Sequence, residues 1–143
     1  MQPFSTAALA FVALLAVAPG ARAEPTPEHA AACVAALERE AEGMAQQFRD
    51  GKVEIESELV HRVQQGFAFI GSAYKQGLRG AEADKLLKQA EAAQESLPPA
   101  ELAARQAACR NEGSRLLASA SFLERAFVMR AAQKRVDKLK RTS

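Results

Sequence analysis

Two stretches of this chain place apolar residues at alternating steps of three and four, a spacing that only an α-helix turns into a continuous apolar side. The first series is Val34, Leu37, Ala41, Met44 and Phe48; the second is Val60, Val63, Phe67, Ile70 and Tyr74. A longer stripe follows through Leu102, Gln106, Cys109, Gly113, Leu116, Ala120, Leu123 and Phe127, and a shorter one through Leu86, Leu87, Ala90 and Ala93. Composition agrees with the spacing. Beyond residue 23 the chain has 24 Ala but only 6 Val, 2 Ile and 2 Thr, so the best helix former abounds while the β-branched residues that strands recruit are scarce.

Punctuation divides these stripes. Thr26-Pro27-Glu28 supplies a capping hydroxyl, a first-turn proline and an acid for the positive end of the helix dipole. Asp50-Gly51 and the Gly77/Gly80 pair end helices, and Pro98-Pro99 forces a break because proline lacks the amide donor and restricts the residue before it. The expected fold is all-α: an antiparallel helical bundle of four to five helices at about 27–49, 53–79, 82–96 and 99–139, with one disulfide.

The first residues belong to a different class. Residues 4–18 form an uncharged apolar run of 15, shorter than the roughly 18 needed to span a bilayer and of the length of a signal-peptide core. Pro19-Gly20 breaks it, and Ala21-Arg22-Ala23 offers the small-x-small pattern that signal peptidase accepts. The expectation is a signal peptide over 1–23, cleavage after Ala23, a single domain over 24–143, and a periplasmic or secreted location. The absence of Lys or Arg before the run leaves an uncleaved anchor as the alternative. A lipoprotein is disfavoured because Glu24, not Cys, follows the cut.

Export makes Cys33 and Cys109 a disulfide pair. Closing a loop of roughly 77 residues stabilises a small, Ala-rich core by about 4 kcal/mol on the chain-entropy model. Helix lengths support the pairing. At 1.5 Å per residue, an up-down-up-down path puts Cys33 about 9 Å and Cys109 about 7 Å above the bottom of the bundle. The same rise carries residues 110–139 roughly 38 Å below it if the last helix is straight. Asn111-Glu112-Gly113-Ser114 offers a break at 111–114 that folds the tail back, and this reading is preferred. A straight helix would instead pack its tail on a second subunit, as a homodimer.

Catalytic and cofactor motifs are missing. The sequence has no GxSxG elbow, CxxC, CxxCH, HExxH or phosphate-binding glycine loop, so no enzyme activity and no cofactor are expected. His29 and Cys33 share a helix face and would hold a soft metal only with a free thiol, and two ligands fall short of the four of a closed zinc site. His61 shares a face with Glu54, Glu58 and Gln65, which reads as a solvated polar face. His61 and His29 are therefore weak metal candidates beside a reading with no metal.

Charge is uneven. Residues 24–112 hold 15 acids and 10 bases, a net of −5; residues 113–143 hold 2 acids and 8 bases, a net of +6. Arg130, Lys134, Lys138 and Arg141 form a basic stripe at steps of 4, 4 and 3, on a different face from Val128, Ala132, Val136 and Leu139. A basic amphipathic helix docks on acidic partners or anionic surfaces, although cations at a helix C-terminus are also favoured by the dipole alone. Nucleic acid is disfavoured as a partner, since no aromatic residues interleave the bases. The expected function is a non-enzymatic exported interaction, adaptor or chaperone-like module whose basic C-terminal helix meets a protein or an anionic envelope surface. The alternative is a small-ligand or metal-binding bundle.

Overall fold

The computed structural model describes residues 24–142; the expected signal peptide over 1–23 and its cleavage point lie outside the described residues. Among the described residues five helices follow one another: α1 (Pro27–Arg49), α2 (Glu56–Lys75), α3 (Gly80–Glu95), α4 (Pro99–Ser119) and α5 (Phe122–Arg141), with a 3-10 turn over Val53–Ile55 leading into α2. The Cys33–Cys109 disulfide is formed, with its Cα atoms 5.3 Å apart. Among the described residues no helix is long and apolar enough to cross a membrane.

Helix α1 is the axis on which the other four pack. Thr26 Oγ1 accepts the His29 amide at 3.2 Å and Pro27 occupies the first turn, which satisfies donors that a helix start leaves free. Its buried alanines, among them Ala30, Ala35, Ala36, Ala41 and Ala45, point in several directions around the helix. Small side chains on every side let neighbours approach from every side. Gln94 of α3 and Gln106 of α4 reach the carbonyls of Ala35 and Ala36, each at 3.3 Å.

Gly51, at φ 105°, makes the turn expected after Asp50; α2 then runs antiparallel to α1, and Gly77, at φ 94°, closes the connection to α3. Both conformations lie in the left-handed region that glycine adopts without a Cβ penalty. Helix α4 descends along α1, with Gln106, Cys109 and Glu112 beside Ala36, Cys33 and His29 in turn. Helix α5 then climbs back: Glu124 lies against Lys75 at 2.5 Å, Arg135 pairs with Glu38, Lys140 pairs with Glu56, and Arg49 donates to the Leu139 carbonyl at 2.5 Å.

The last long helix is therefore broken, but not at 111–114. It is continuous through Gly113 and turns at Ala120-Ser121. Ser121 is the start of α5: its hydroxyl accepts the Glu124 amide at 3.2 Å while the Glu124 carboxylate accepts the Ser121 amide at 2.7 Å. This reciprocal capping box nucleates the new helix. Gly113 serves closeness instead, because it lets α4 touch α2. Folding back lets Val128, Ala132, Val136 and Leu139 complete the core, whereas Leu123 and Phe127, expected on the inward stripe, face outward. The turn resets the helical phase.

The inward side of α2 also differs from the expected stripe. Ile70 and Tyr74 are 43% and 59% exposed, and the buried residues are Leu59, Arg62, Val63, Gln65, Phe69, Ser72 and Ala73. At 3.6 residues per turn the buried side is rotated by roughly a third of a turn from the expected one. The reason is tertiary: α1, α4 and α5 cover the Arg62–Phe69 side, leaving the Phe67 and Ile70 edge lining an open cleft beside α3. In α3, Leu86, Leu87 and Ala90 are half-buried as expected of an inward edge, Ala93 is exposed, and Gln94 is buried.

Two apolar clusters form the core. One joins Met44, Leu59, Val63, Ala132, Val136 and Leu139; the other surrounds the disulfide with Ala30, Leu37, Phe69 and Ala73. Between them in helix register lies a polar layer. Arg62, only 6% exposed, has its Nε 3.0 Å from Glu40, an ion pair rather than an aligned hydrogen bond, and donates to Gln65 at 2.7 Å and Glu58 at 3.1 Å. Arg110 of α4 meets the same Glu40 oxygen at 2.8 Å. Burial pulls the Arg62 guanidinium below its ordinary pKa, and the nearby Glu40 carboxylate opposes that shift.

Candidate functional site

Helix α5 sorts its residues by side. Val128, Ala132, Val136 and Leu139 are buried, and the cations beside them, Arg135 and Lys140, are tied to Glu38 and Glu56. Arg130, Lys134, Lys138 and Arg141 are all exposed, and none has an acidic partner among the described residues. The four residues expected to form a basic stripe do share one outward side.

The same outward line continues toward the helix start as an apolar surface. Phe122, Leu123 and Phe127 are 81%, 77% and 66% exposed, and Met129 flanks them. On a helical projection Leu123, Phe127, Arg130, Lys134, Lys138 and Arg141 fall on one side. Its first half is apolar and its second half basic. Large apolar side chains this exposed and this close together mark interaction surfaces more often than chance scatter does. Apolar spacing alone places Leu123 and Phe127 on the inward stripe; the Ser121-x-x-Glu124 box is the local signal that the phase changes before them.

The start of α5 is held in place electrostatically. The Lys75 ammonium and the Ser121 amide together hold the Glu124 carboxyl below its ordinary pKa, and Glu124 in turn raises that of Lys75. The apolar patch is thus carried on a capped helix clamped to the end of α2.

Each histidine keeps one polar neighbour from its own helix, Gln65 for His61 and Cys33 for His29. His61 is exposed; Glu58 turns to Arg62, and the Gln65 amide nitrogen, 3.2 Å from His61 Nε2, also reaches Ser114 Oγ at 2.8 Å and the Arg110 carbonyl at 3.2 Å. The expected polar face of His61 is therefore spent on holding α2 to α4. His29 does acquire company, from α4. Its Nε2 lies 2.7 Å from Glu112 Oε2 and 3.7 Å from Cys33 Sγ. Glu112 is not among the metal candidates expected from the sequence, although Cys109-x-x-Glu112 repeats on α4 the one-face spacing of His29 and Cys33 on α1.

The cleft between α1, α2 and α3 is lined by Val34, Leu37, Phe67, Ile70 and Leu87, with the Glu38–Arg135 pair at its edge, and has a volume of about 180 Å³. That is below the roughly 300–1,000 Å³ of sites that enclose drug-sized ligands. Comparison with protein families, with characterised proteins and with solved structures finds no match to this chain.

Proposed function

We propose that this protein is an exported, non-enzymatic interaction module: a disulfide-stapled bundle that presents the outward side of α5 to an acidic protein partner. One observation carries the reading: exposed Leu123 and Phe127 lie in line with four exposed cations that have no ion-pair partner among the described residues, while the inward cations of the same helix are paired. Cations needed only to cap a helix dipole cluster in the last turn; these begin at Arg130, three turns from the end. Export rests on the sequence of residues 1–23 and agrees with the Cys33–Cys109 bridge, since such bonds persist in oxidising compartments.

A protein fits better than a membrane. A helix lying in a bilayer interface has an apolar side along its whole length with cations flanking it. Here the apolar and basic halves follow each other end to end, and Asp137 stands exposed beside the cations. The complement is an amphipathic protein segment with an apolar end and an acidic end.

The test uses a synthetic amphipathic helix with Leu at one end and Glu at the other, titrated into the purified protein with fluorescence anisotropy as readout. Binding should weaken with added salt and disappear in a variant with Arg130, Lys134 and Lys138 all changed to Glu. Equal binding by that variant sinks the proposal. Binding to phosphatidylglycerol vesicles but not to the peptide would transfer the surface to a membrane role, and a dimer abolished by the same charge reversal would assign it to a second copy of the chain.

A further inference from the structure

Two further metal-binding side chains, His29 of α1 and Glu112 of α4, stand beside the disulfide that joins the same two helices. Helix α1 supplies His29 and Cys33, four residues apart; α4 supplies Cys109 and Glu112, three apart. These are the spacings that put two side chains over the same helix face, and pairs of this kind on facing helices build the metal sites of helical bundles. His29 Nε2, Cys33 Sγ and a Glu112 carboxylate oxygen all lie within 4.8 Å of one another, and Cys109 Sγ is bonded to Cys33 Sγ. Edge-on packing of the His29 ring against Phe69, with centroids 6.4 Å apart, holds the imidazole near the sulfurs.

We propose that the Cys33–Cys109 disulfide is one state of a redox-gated metal site: when it is reduced, the two thiolates, His29 Nε2 and a Glu112 oxygen bind a divalent zinc-like ion between α1 and α4. Two sulfurs, one nitrogen and one oxygen make a borderline-soft set of four, which suits Zn²⁺ and its spectroscopic substitute Co²⁺. The gate is chemical. A disulfide offers no thiolate, so the oxidised protein keeps only the exposed His29–Glu112 pair. A dithiol reductant gives two electrons and two protons to the S–S bond and becomes a disulfide itself; the metal then displaces the two thiol protons. Both sulfurs are buried, whereas His29 and Glu112 sit at the rim, which gives the ion an entry path. The site uses neither α5 nor its outward side.

The experiment compares the full mature protein in two forms, oxidised and phosphine-reduced then desalted under argon, with Co²⁺ as probe and circular dichroism as a check on helicity. The reduced protein should bind one Co²⁺ with thiolate-to-metal charge-transfer and tetrahedral d–d absorption, and the oxidised protein should show neither. His29→Ala and Glu112→Gln, which leave the disulfide intact for folding, should each weaken Co²⁺ binding to the reduced form by at least the roughly 10- to 100-fold that losing a supporting group costs a metal site. A helical reduced protein without the sulfur bands overturns the proposal. So do bands of unchanged affinity in both variants, and so does a reduced chain that unfolds and is not refolded by the metal.

Discussion

Gly113 of α4 stands so close to Gln65 of α2 that a Cβ at position 113 would lie 2.9 Å from Gln65 Cβ and 3.2 Å from its carbonyl oxygen. The neighbours are backbone and a Cβ, which cannot swing aside. This contact lets the Gln65 amide reach Ser114 and the Arg110 carbonyl, and so sets the spacing of α2 and α4. Gly113→Ala should destabilise the fold by about 1–3 kcal/mol through overpacking, although alanine is ordinarily the better helix former by about 1 kcal/mol. Gly43 of α1 has nothing within 4 Å of its added Cβ, so Gly43→Ala should stabilise. Urea unfolding of the two variants reads the contrast, and two equal gains would refute the close contact.

Glu40 holds two arginines from two helices, one of them buried. Removing it takes the nearest countercharge from buried Arg62, and losing one partner of a buried pair costs about 3–5 kcal/mol. Glu40→Ala should cost close to the lower end, since Glu40 itself is partly solvated. Glu58→Ala, whose carboxylate is mostly exposed, should cost at most about 1 kcal/mol. Denaturant midpoints of the two variants decide whether the polar layer is anchored at Glu40.

The Lys75–Glu124 clamp should make the α4–α5 corner depend on pH in two directions. Hydrogen bonding to Lys75, then to the Ser121 amide, lowers the Glu124 pKa below 4.5; its contribution is therefore present above pH 4.5 and is lost as pH falls through the lowered value. Hydrogen bonding to Glu124 raises the Lys75 pKa above 10.5, so its contribution is complete below pH 10.5 and is lost as pH rises through the raised value. Amide exchange at the first turn of α5 should slow between these limits, after correction for intrinsic rates, and Glu124→Gln should remove the acid-side change.

If Leu123 and Phe127 face a partner rather than the core, replacing both with Ser should change stability by no more than about 0.5 kcal/mol each, as expected of exposed positions. Leu37→Ala, in the cluster around the disulfide, should cost about 2–5 kcal/mol. Thermal unfolding of the free protein separates the two. A large loss from the α5 substitutions would return them to the core and withdraw the apolar half of the proposed surface.

Local chemistry was readable at most helix starts and turns. Apolar spacing and scarce β-branched residues identified the all-α class, Thr26-Pro27 identified the start of α1, Asp50-Gly51 the first turn, and Pro98-Pro99 the start of α4. Helix rise supported the pairing of Cys33 with Cys109 and favoured a reversal in the last helix over a straight one packed on a second subunit. The place of that reversal was also written locally, in the Ser121–Glu124 box, but Asn111 and Gly113 gave a competing stop signal within the same helix.

Which side of a helix faces inward was decided by the assembled bundle. The Val60–Tyr74 stripe and the Arg62–Phe69 side of α2 are adjacent on one cylinder, and three neighbours covering the second left the first beside a cleft. Gly113 acquired its meaning only when Gln65 arrived opposite it. His29 and Cys33 showed two ligand atoms on one helix; Cys109 and Glu112, some eighty residues away in sequence, complete the set only because α4 runs back along α1. Periodicity governs what one helix can bury, while long-range packing selects among the sides it offers, and residues far apart in the chain have no spacing through which the sequence alone could declare their contact.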